Sequence, residues 1–451
     1  MNRFLRRALH VALTLSALAA ALYGLAWLNI PAYALPSDDS GSVDFTDPAL
    51  VARGAYVARL GDCAGCHTAL QPGSPPFAGG QPMNAPFGII YTTNITPDPQ
   101  TGIGRYSYAD FERAVRGGVR PDGKRLYPAM PYPSFTKASD DDIRALYAYF
   151  MHGVAPVRHR PPTTQLAFPF NQRWGILFWD WAFVPHGRFQ PPPGNHDVQW
   201  LRGAYLAQSL GHCGACHSPR GPAFEERGYD ESSAAFLTGG INDNWFAPNL
   251  TGEPGSGLGR LSEQNIVEFL KTGHGKPLHI VAFGSMVPVI EKSTQHYTDD
   301  DLRAIAHYLK SLPAQRASGD FRPATPRGRL VMDNRRAAGQ VQPPGAGLYM
   351  SFCVKCHVAD GGGKPDKFPT LAGNPAVLSP DATSLIRLVL KGGATAHTEE
   401  GPESRKMPAF ADKLTDTEIA RVLTFVRTAW GNQARPVTAR QVSGLRGQLA
   451  P

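Results

Sequence analysis

The sequence predicts a mainly α-helical protein made of three tandem units joined by Pro-rich linkers. Three observations point there. One five-residue word, Cys-x-x-Cys-His, occurs at Cys63–His67, Cys213–His217 and Cys353–His357, each copy roughly a domain's length from the next. Each copy is followed by a Ser or Thr that starts a helix, with an acid three residues on: Ser139 and Asp142, Thr298 and Asp301, Thr415 and Glu418. No long apolar–polar alternation of the kind that marks a strand accompanies them. At 451 residues the chain has room for such units.

Residues 1–34 stand apart. Arg3, Arg6 and Arg7 precede an apolar run from Ala8 to Ile30, and Ala32-Tyr33-Ala34 follows. A basic start, an apolar stretch and a small-x-small site read as an export signal. The run is about 22 residues, so it could also span a bilayer as an uncleaved anchor. Either way the remainder is expected outside the cytoplasm.

The first unit is expected over 45–158. Asp47-Pro48 opens it, an N-cap with proline at the first helical position, and Arg53-Gly54-Ala55-Tyr56-Val57-Ala58 leads to the first Cys word. Its closing helix starts at Ser139. A Pro- and aromatic-rich linker, 159–194, runs from Arg160-Pro161-Pro162 to Pro191-Pro192-Pro193-Gly194. The second unit, 195–312, repeats the lead-in as Arg202-Gly203-Ala204-Tyr205-Leu206-Ala207 and closes from Thr298. A second linker, 313–343, precedes the third unit, 344–432, where Gly347-Leu348-Tyr349 is the shorter lead-in and Thr415 opens the last helix. Residues 433–451 form a C-terminal tail. Proline stiffens both linkers and limits how far the units wander. Within the first linker, Trp174–Phe183 is too short to span a membrane, yet aromatic enough for a bilayer interface or a subunit contact. A helix packed between the first two units is the alternative of equal weight.

The repeated word carries the chemistry. It is the attachment pattern of c-type haem, in which two thiols add across the haem vinyl groups and the adjacent His ligates the iron. Cys63, Cys66, Cys213, Cys216, Cys353 and Cys356 are all the cysteines present. None remains for a disulfide or a catalytic thiol. A zinc reading would need four ligands per site, usually as paired knuckles. Three covalent haems, ligated by His67, His217 and His357, are therefore expected, and electron transfer with them. The formal charge is +8, and Arg3, Arg6 and Arg7 lie in the presumed signal. Haem propionates would bring the rest close to neutral, and no basic stripe with interleaved aromatics suggests nucleic acid.

The sixth iron position decides between electron transfer and ligand chemistry. A Met before each closing helix, near a proline, is the candidate: Met130, Met286 and Met407, which lie 63, 69 and 50 residues after the respective His. Met raises the potential and closes the iron to ligands. Met is also a common core filler, and Met83, Met151, His274, His279, His296 and His397 are rivals. Recurrence at one topological place favours the three Met residues. A haem enzyme such as a peroxidase would need an open iron, which this pattern disfavours.

Further words give the chain a family likeness. Tyr91-Thr92-Thr93-Asn94-Ile95-Thr96-Pro97-Asp98, Tyr127-Pro128-Ala129-Met130-Pro131-Tyr132, Phe168-Pro169-Phe170-Asn171-Gln172-Arg173-Trp174, Ala247-Pro248-Asn249-Leu250-Thr251, Leu371-Ala372-Gly373-Asn374-Pro375 and Met407-Pro408-Ala409-Phe410 are of this kind. Over about residues 45 to 445 the chain resembles the triheme cytochrome c subunit of bacterial membrane-bound dehydrogenases, for alcohols, aldehydes, gluconate or sugars, also paired with nicotinate-type molybdenum hydroxylases. The resemblance implies three class I cytochrome c-like domains and the same six Cys, three His and three Met. It implies a partner dehydrogenase subunit of flavin, quinone or molybdenum type, with electrons passing on to ubiquinone or a terminal oxidase. The place implied is the periplasmic face of the cytoplasmic membrane. The substrate-oxidising chemistry would belong to the partner. Some members hold the membrane with an apolar C-terminal tail, whereas this chain ends in polar Leu445-Arg446-Gly447-Gln448-Leu449-Ala450-Pro451. An independent multihaem carrier between respiratory complexes is the other reading.

Overall fold

The computed structural model describes residues 3–28, 43–185, 187–276, 278–315, 320–322 and 343–449. Ala32-Tyr33-Ala34 and most of the 313–343 linker lie outside the described residues. Among the described residues helix predominates, and sheet is confined to short antiparallel pairings such as Pro82–Ala85 with Gly88–Tyr91. The chain folds into two compact units, 1–57 with 66–190, and 58–65 with 191–451. The second unit thus holds the second and third Cys words, and Cys63 as well.

In the first unit, Asp47 caps the Pro48–Leu60 helix by accepting from Ala49 N at 3.0 Å. The closing helix Asp140–Ala148 is capped by Ser139, whose hydroxyl accepts from Asp142 N. The two helices cross at Gly54, where a Cβ would lie 1.9 Å from Ala145 O. Beside the crossing, Arg53 pairs with Asp142 at 2.9 Å. The second unit repeats this device. The Val198–Gln208 and Asp299–Ser311 helices cross at Gly203, where a Cβ would meet Ala304 O at 2.0 Å, and Arg202 pairs with Asp301 at 2.7 Å. The repeated Arg-Gly therefore encodes a close helix crossing and its electrostatic tie. Gly203→Val is expected to lower the stability of the second unit by about 1–3 kcal/mol, the usual cost of overpacking. The open helical position Gly347 gives the control, since nothing lies within 4 Å of a Cβ there. Gly347→Ala should leave the thermal midpoint equal or higher. Equal midpoints for wild type and Gly203→Val would contradict the close crossing.

A histidine gathers three helices in the second unit. His307 Nδ1 lies 3.0 Å from Glu263 Oε1 and Nε2 lies 3.2 Å from Asp197 Oδ2. Asp197 caps the Val198–Gln208 helix and Glu263 opens the Glu263–Thr272 helix. Both contacts are donations only when the ring is an imidazolium. The Glu263 hydrogen bond, then that of Asp197, raises the His307 pKa above its ordinary 6.5. Its stabilising contribution is therefore present in full below about pH 6.5 and is lost as pH rises through the raised folded value. Thermal midpoints between pH 5 and 9 should show this loss in the wild type and lack it in His307→Gln. Identical pH profiles would disprove the tie.

The 159–194 segment belongs to the first unit as far as Gln190. Gln165–Leu166 adds a strand beside Gly88–Tyr91, and an Arg173–Gly175 turn leads into the Ile176–Phe183 helix. That helix buries Ile176 and Leu177, while Trp174 and Trp181 remain 61% and 51% exposed. The Arg3–Leu28 helix, with apolar side chains such as Leu9, Leu13 and Leu18 exposed, sets Tyr23 edge-on to Phe178 at 5.9 Å.

The second unit is held together across its two Cys words. Ser384 Oγ accepts from Phe246 N and donates to Phe246 O, and Arg260 donates to Gly373 O at 2.6 Å. The C-terminal residues form a helix, Ala439–Gln448, whose Val442 and Leu445 are buried with Ile386, Leu390, Phe410 and Leu423. Its apolar stripe faces inward, which accounts for the polar appearance of that stretch of sequence.

Candidate haem-binding sites

Each Cys word forms a short helical turn just after a longer helix: Cys63–His67 after Pro48–Leu60, Gly214–His217 after Val198–Gln208, and Val354–His357 after Ala346–Phe352. One turn of helix brings residues three apart to the same side, so two thiols and the following imidazole converge. All six cysteines are free and partly buried. Burial pushes the Cys63 and Cys213 thiols up to about 12 and Cys353 up to about 11, which keeps them neutral. The Asn242 amide donates to Cys216 Sγ at 3.2 Å.

The three histidines share one arrangement. His67 Nδ1 donates to Thr93 O at 2.7 Å, His217 Nδ1 to Pro248 O at 2.7 Å, and His357 Nδ1 to Pro369 O at 3.0 Å. A carbonyl oxygen only accepts, so the proton of each neutral ring sits on Nδ1 and leaves Nε2 with a free lone pair. Burial lowers all three pKa values and favours the neutral ring. Each imidazole is thus fixed in the tautomer that ligates a metal through Nε2.

The accepting carbonyls are fixed in turn. Thr93 and Pro248 immediately precede Asn94 and Asn249, both buried. Asn94 Oδ1 accepts from Thr96 N at 2.9 Å and its amide donates to Val157 O at 2.8 Å. Asn249 does the same with Thr251 N at 2.8 Å and Gln315 O at 2.9 Å. The third site fastens its loop differently, with the Asn432 amide donating to Leu371 O at 3.0 Å. The Asn-x-Thr word is legible in the sequence, but its role as the brace behind a ligand histidine is not.

The three Met residues occupy different local structures. Met130 lies in a stretch without helix or strand, Met286 heads the Met286–Lys292 helix, and Met407 sits in a strand paired with Gly393. Met286 packs on Ile290 and Ala282, and Met407 packs on the cluster around Leu390 and Phe410. Among their rivals, His274 has its Nδ1 engaged by Thr272 O at 3.1 Å.

Within the second unit, side chains distant in sequence hold the run into the first Cys word. Tyr297 OH donates to Leu60 O at 2.7 Å, Ser293 Oγ donates to Arg59 O at 2.6 Å, and the His212 ring lies 3.4 Å from Gly61 O. His212 immediately precedes Cys213. Burial pushes the Asp62 carboxyl up to about 7, and burial above all, with a lesser contribution from Asp62, raises Cys63 and Cys216. Among the described residues no three His, Cys, Asp or Glu side chains cluster so as to hold a bare metal ion. Two thiols three residues apart beside one neutral imidazole suit a covalently attached haem, the thiols for its vinyl groups and the imidazole for its iron.

The model for the cytochrome c family matches residues 51–153 and 343–430. The chain is 47% identical over 413 residues to the cytochrome c subunit of the quinone alcohol dehydrogenase of Gluconacetobacter polyoxogenes, covering 90% of this chain and 86% of the relative. The chain belongs to the family of dehydrogenase cytochrome c subunits. Its similarity to the gluconate 2-dehydrogenase cytochrome c subunit of Pantoea cypripedii is 44% identity over 412 residues, with 89% and 91% covered. Against the fructose dehydrogenase cytochrome subunit of Gluconobacter japonicus it is 38% over 413 residues, which is 88% of this chain and 82% of that protein. As a dehydrogenase cytochrome c subunit, the protein binds haem c covalently and transfers electrons.

Proposed function

We propose that this cytochrome c subunit carries three haems, takes electrons from a partner dehydrogenase on the periplasmic face of the cytoplasmic membrane, and passes them to ubiquinone or a terminal oxidase. The observation that carries the reading is the set of three histidines, each with Nδ1 given to a backbone carbonyl and Nε2 left for iron. In this reading the chain holds three tandem class I cytochrome c-like domains, 45–158, 195–312 and 344–432, with the Pro-rich segments 159–194 and 313–343 between them. Each covalent haem supplies a one-electron centre. Cys63 and Cys66, Cys213 and Cys216, and Cys353 and Cys356 hold the three. His67, His217 and His357 would ligate their irons, and Met130, Met286 and Met407 would supply the second ligand to each.

Attachment to the membrane falls to the N-terminal end in this reading. Arg6–Gly24 has the length and apolarity to cross a bilayer, and a signal sequence passes the same test. The exposed Trp174 and Trp181 beside it suit the bilayer interface. The dehydrogenases named for the relatives supply the partner class, and the substrate chemistry is the partner's.

The test is purification from the native membrane in mild detergent, following haem absorbance and identifying what travels with it. A flavin, quinone or molybdenum dehydrogenase in fixed ratio is the expected result. A cytochrome that elutes alone and is reduced directly by respiratory complexes would replace this reading with an independent carrier.

A further inference from the structure

The stretch bearing Met130 has no helix or strand to place it, unlike Met286 and Met407. Its backbone is held locally, with Met130 N donating to Tyr127 O at 3.1 Å and Tyr132 N donating to Met130 O at 2.8 Å. At its start Leu126 N donates to Gly118 O at 2.7 Å, and at its end Tyr132 begins the short Tyr132–Phe135 helix. A further hold comes from the aromatic helix Ile176–Phe183. One carboxylate there, Asp180, grips both ends of the stretch. Its Oδ2 is paired with the Arg125 guanidinium, and its Oδ1 accepts from Tyr132 OH at 2.6 Å. The Asp180 and Arg125 side chains are each 12% exposed, and Tyr132 is buried. The turn just before the helix adds a second hold. Arg173 donates to Arg125 O at 2.5 Å, and its guanidinium lies 4.3 Å from the centre of the Tyr127 ring.

We propose that Asp180 is a positioning residue for Met130, acting through Arg125 and Tyr132, and that the aromatic helix is the clamp that sets the sixth ligand of the first haem. This inference rests on the reading of Met130 as that ligand. The physical reason is entropic. A thioether on an irregular stretch would sample many positions, and each must be restrained for the sulfur to stay on the iron. Hydrogen bonds to a charged group, partly shielded from water, are strong enough to impose that restraint. Because Phe178 on the same helix touches Tyr23, the clamp is also continuous with the N-terminal helix.

The experiment compares holoprotein variants Asp180→Asn, Tyr132→Phe and Met130→Ala. It reads covalent haem content, the methionine–iron charge-transfer band, the individual reduction potentials and carbon monoxide binding after reduction. Met130→Ala tests the ligand reading itself, and an unchanged spectrum there removes both ligand and clamp. With Met130 established, Asp180→Asn is expected to keep full haem content. It should weaken one charge-transfer band, lower one potential, and raise the carbon monoxide-reactive fraction about tenfold or more, since strong hydrogen bonds are lost. Tyr132→Phe should move the same haem by less. If Asp180→Asn does not accumulate, Tyr132→Phe decides alone. Potentials and band unchanged in either accumulated carboxylate or hydroxyl variant, with Met130→Ala altered, would overturn the clamp and leave the ligand in place.

Discussion

The double variant Cys213→Ala/Cys216→Ala is expected to carry two covalent haems in place of three. The six cysteines are fully used by the three words, so no spare thiol can rescue the lost attachment. His217 stays braced by Pro248 and Asn249, because neither contact involves sulfur. A haem could therefore still dock there, but it would no longer survive unfolding. The ratio of haem to protein after acid–acetone extraction separates these cases, and intact mass gives the count directly. A ratio unchanged by the double variant would show that the second word is not an attachment site.

Met286→Ala is expected to shift one reduction potential downward by on the order of 0.1 V, within the ~0.8 V that axial ligands span. It should also make about one haem per protein reactive to carbon monoxide, because the closing thioether is gone. Packing has to be separated from ligation. Met286 packs on Ile290 and Ala282, so its truncation costs stability whatever its role. Met286→Leu supplies the control, since it preserves volume and apolarity without sulfur. A lowered potential in both variants identifies the ligand. If Leu restores the wild-type potential, Met286 is core filler and another side chain closes the second iron.

Much of the functional reading is legible because it rests on chemistry that short words encode. Thiol spacing, the adjacent His and the absence of spare cysteine are properties of the covalent chain. The caps at Ser139, Thr298 and Thr415 are likewise local, since a side chain three residues from its backbone partner needs no tertiary context. The helices that deliver each Cys word are legible for the same reason.

Other features escape the sequence because their partners lie far along the chain. Asp180 meets Arg125 and Tyr132 across 55 and 48 residues, and no spacing rule links them. The Asn94 and Asn249 braces reach Val157 and Gln315 across 63 and 66 residues. The aromatic segment reads from sequence as either an exposed contact or a packed helix. In the structure the Ile176–Phe183 helix buries Ile176 and Leu177 and leaves Trp181 exposed, because a helix presents one face to the unit and another to solvent. The C-terminal helix reads as a tail because Val442 and Leu445 are sparse among polar neighbours, and only packing reveals that they are buried.

The sequence by itself determined the haem chemistry, the helical units and the family likeness, since bonds and helix starts depend on residues close together in the chain. Only the tertiary structure decided which nitrogen of each histidine is free and which carbonyl holds the other. It also decided which carboxylate grips the Met130 stretch. Those are choices among distant groups, fixed by where packing and buried hydrogen bonding leave each one a partner.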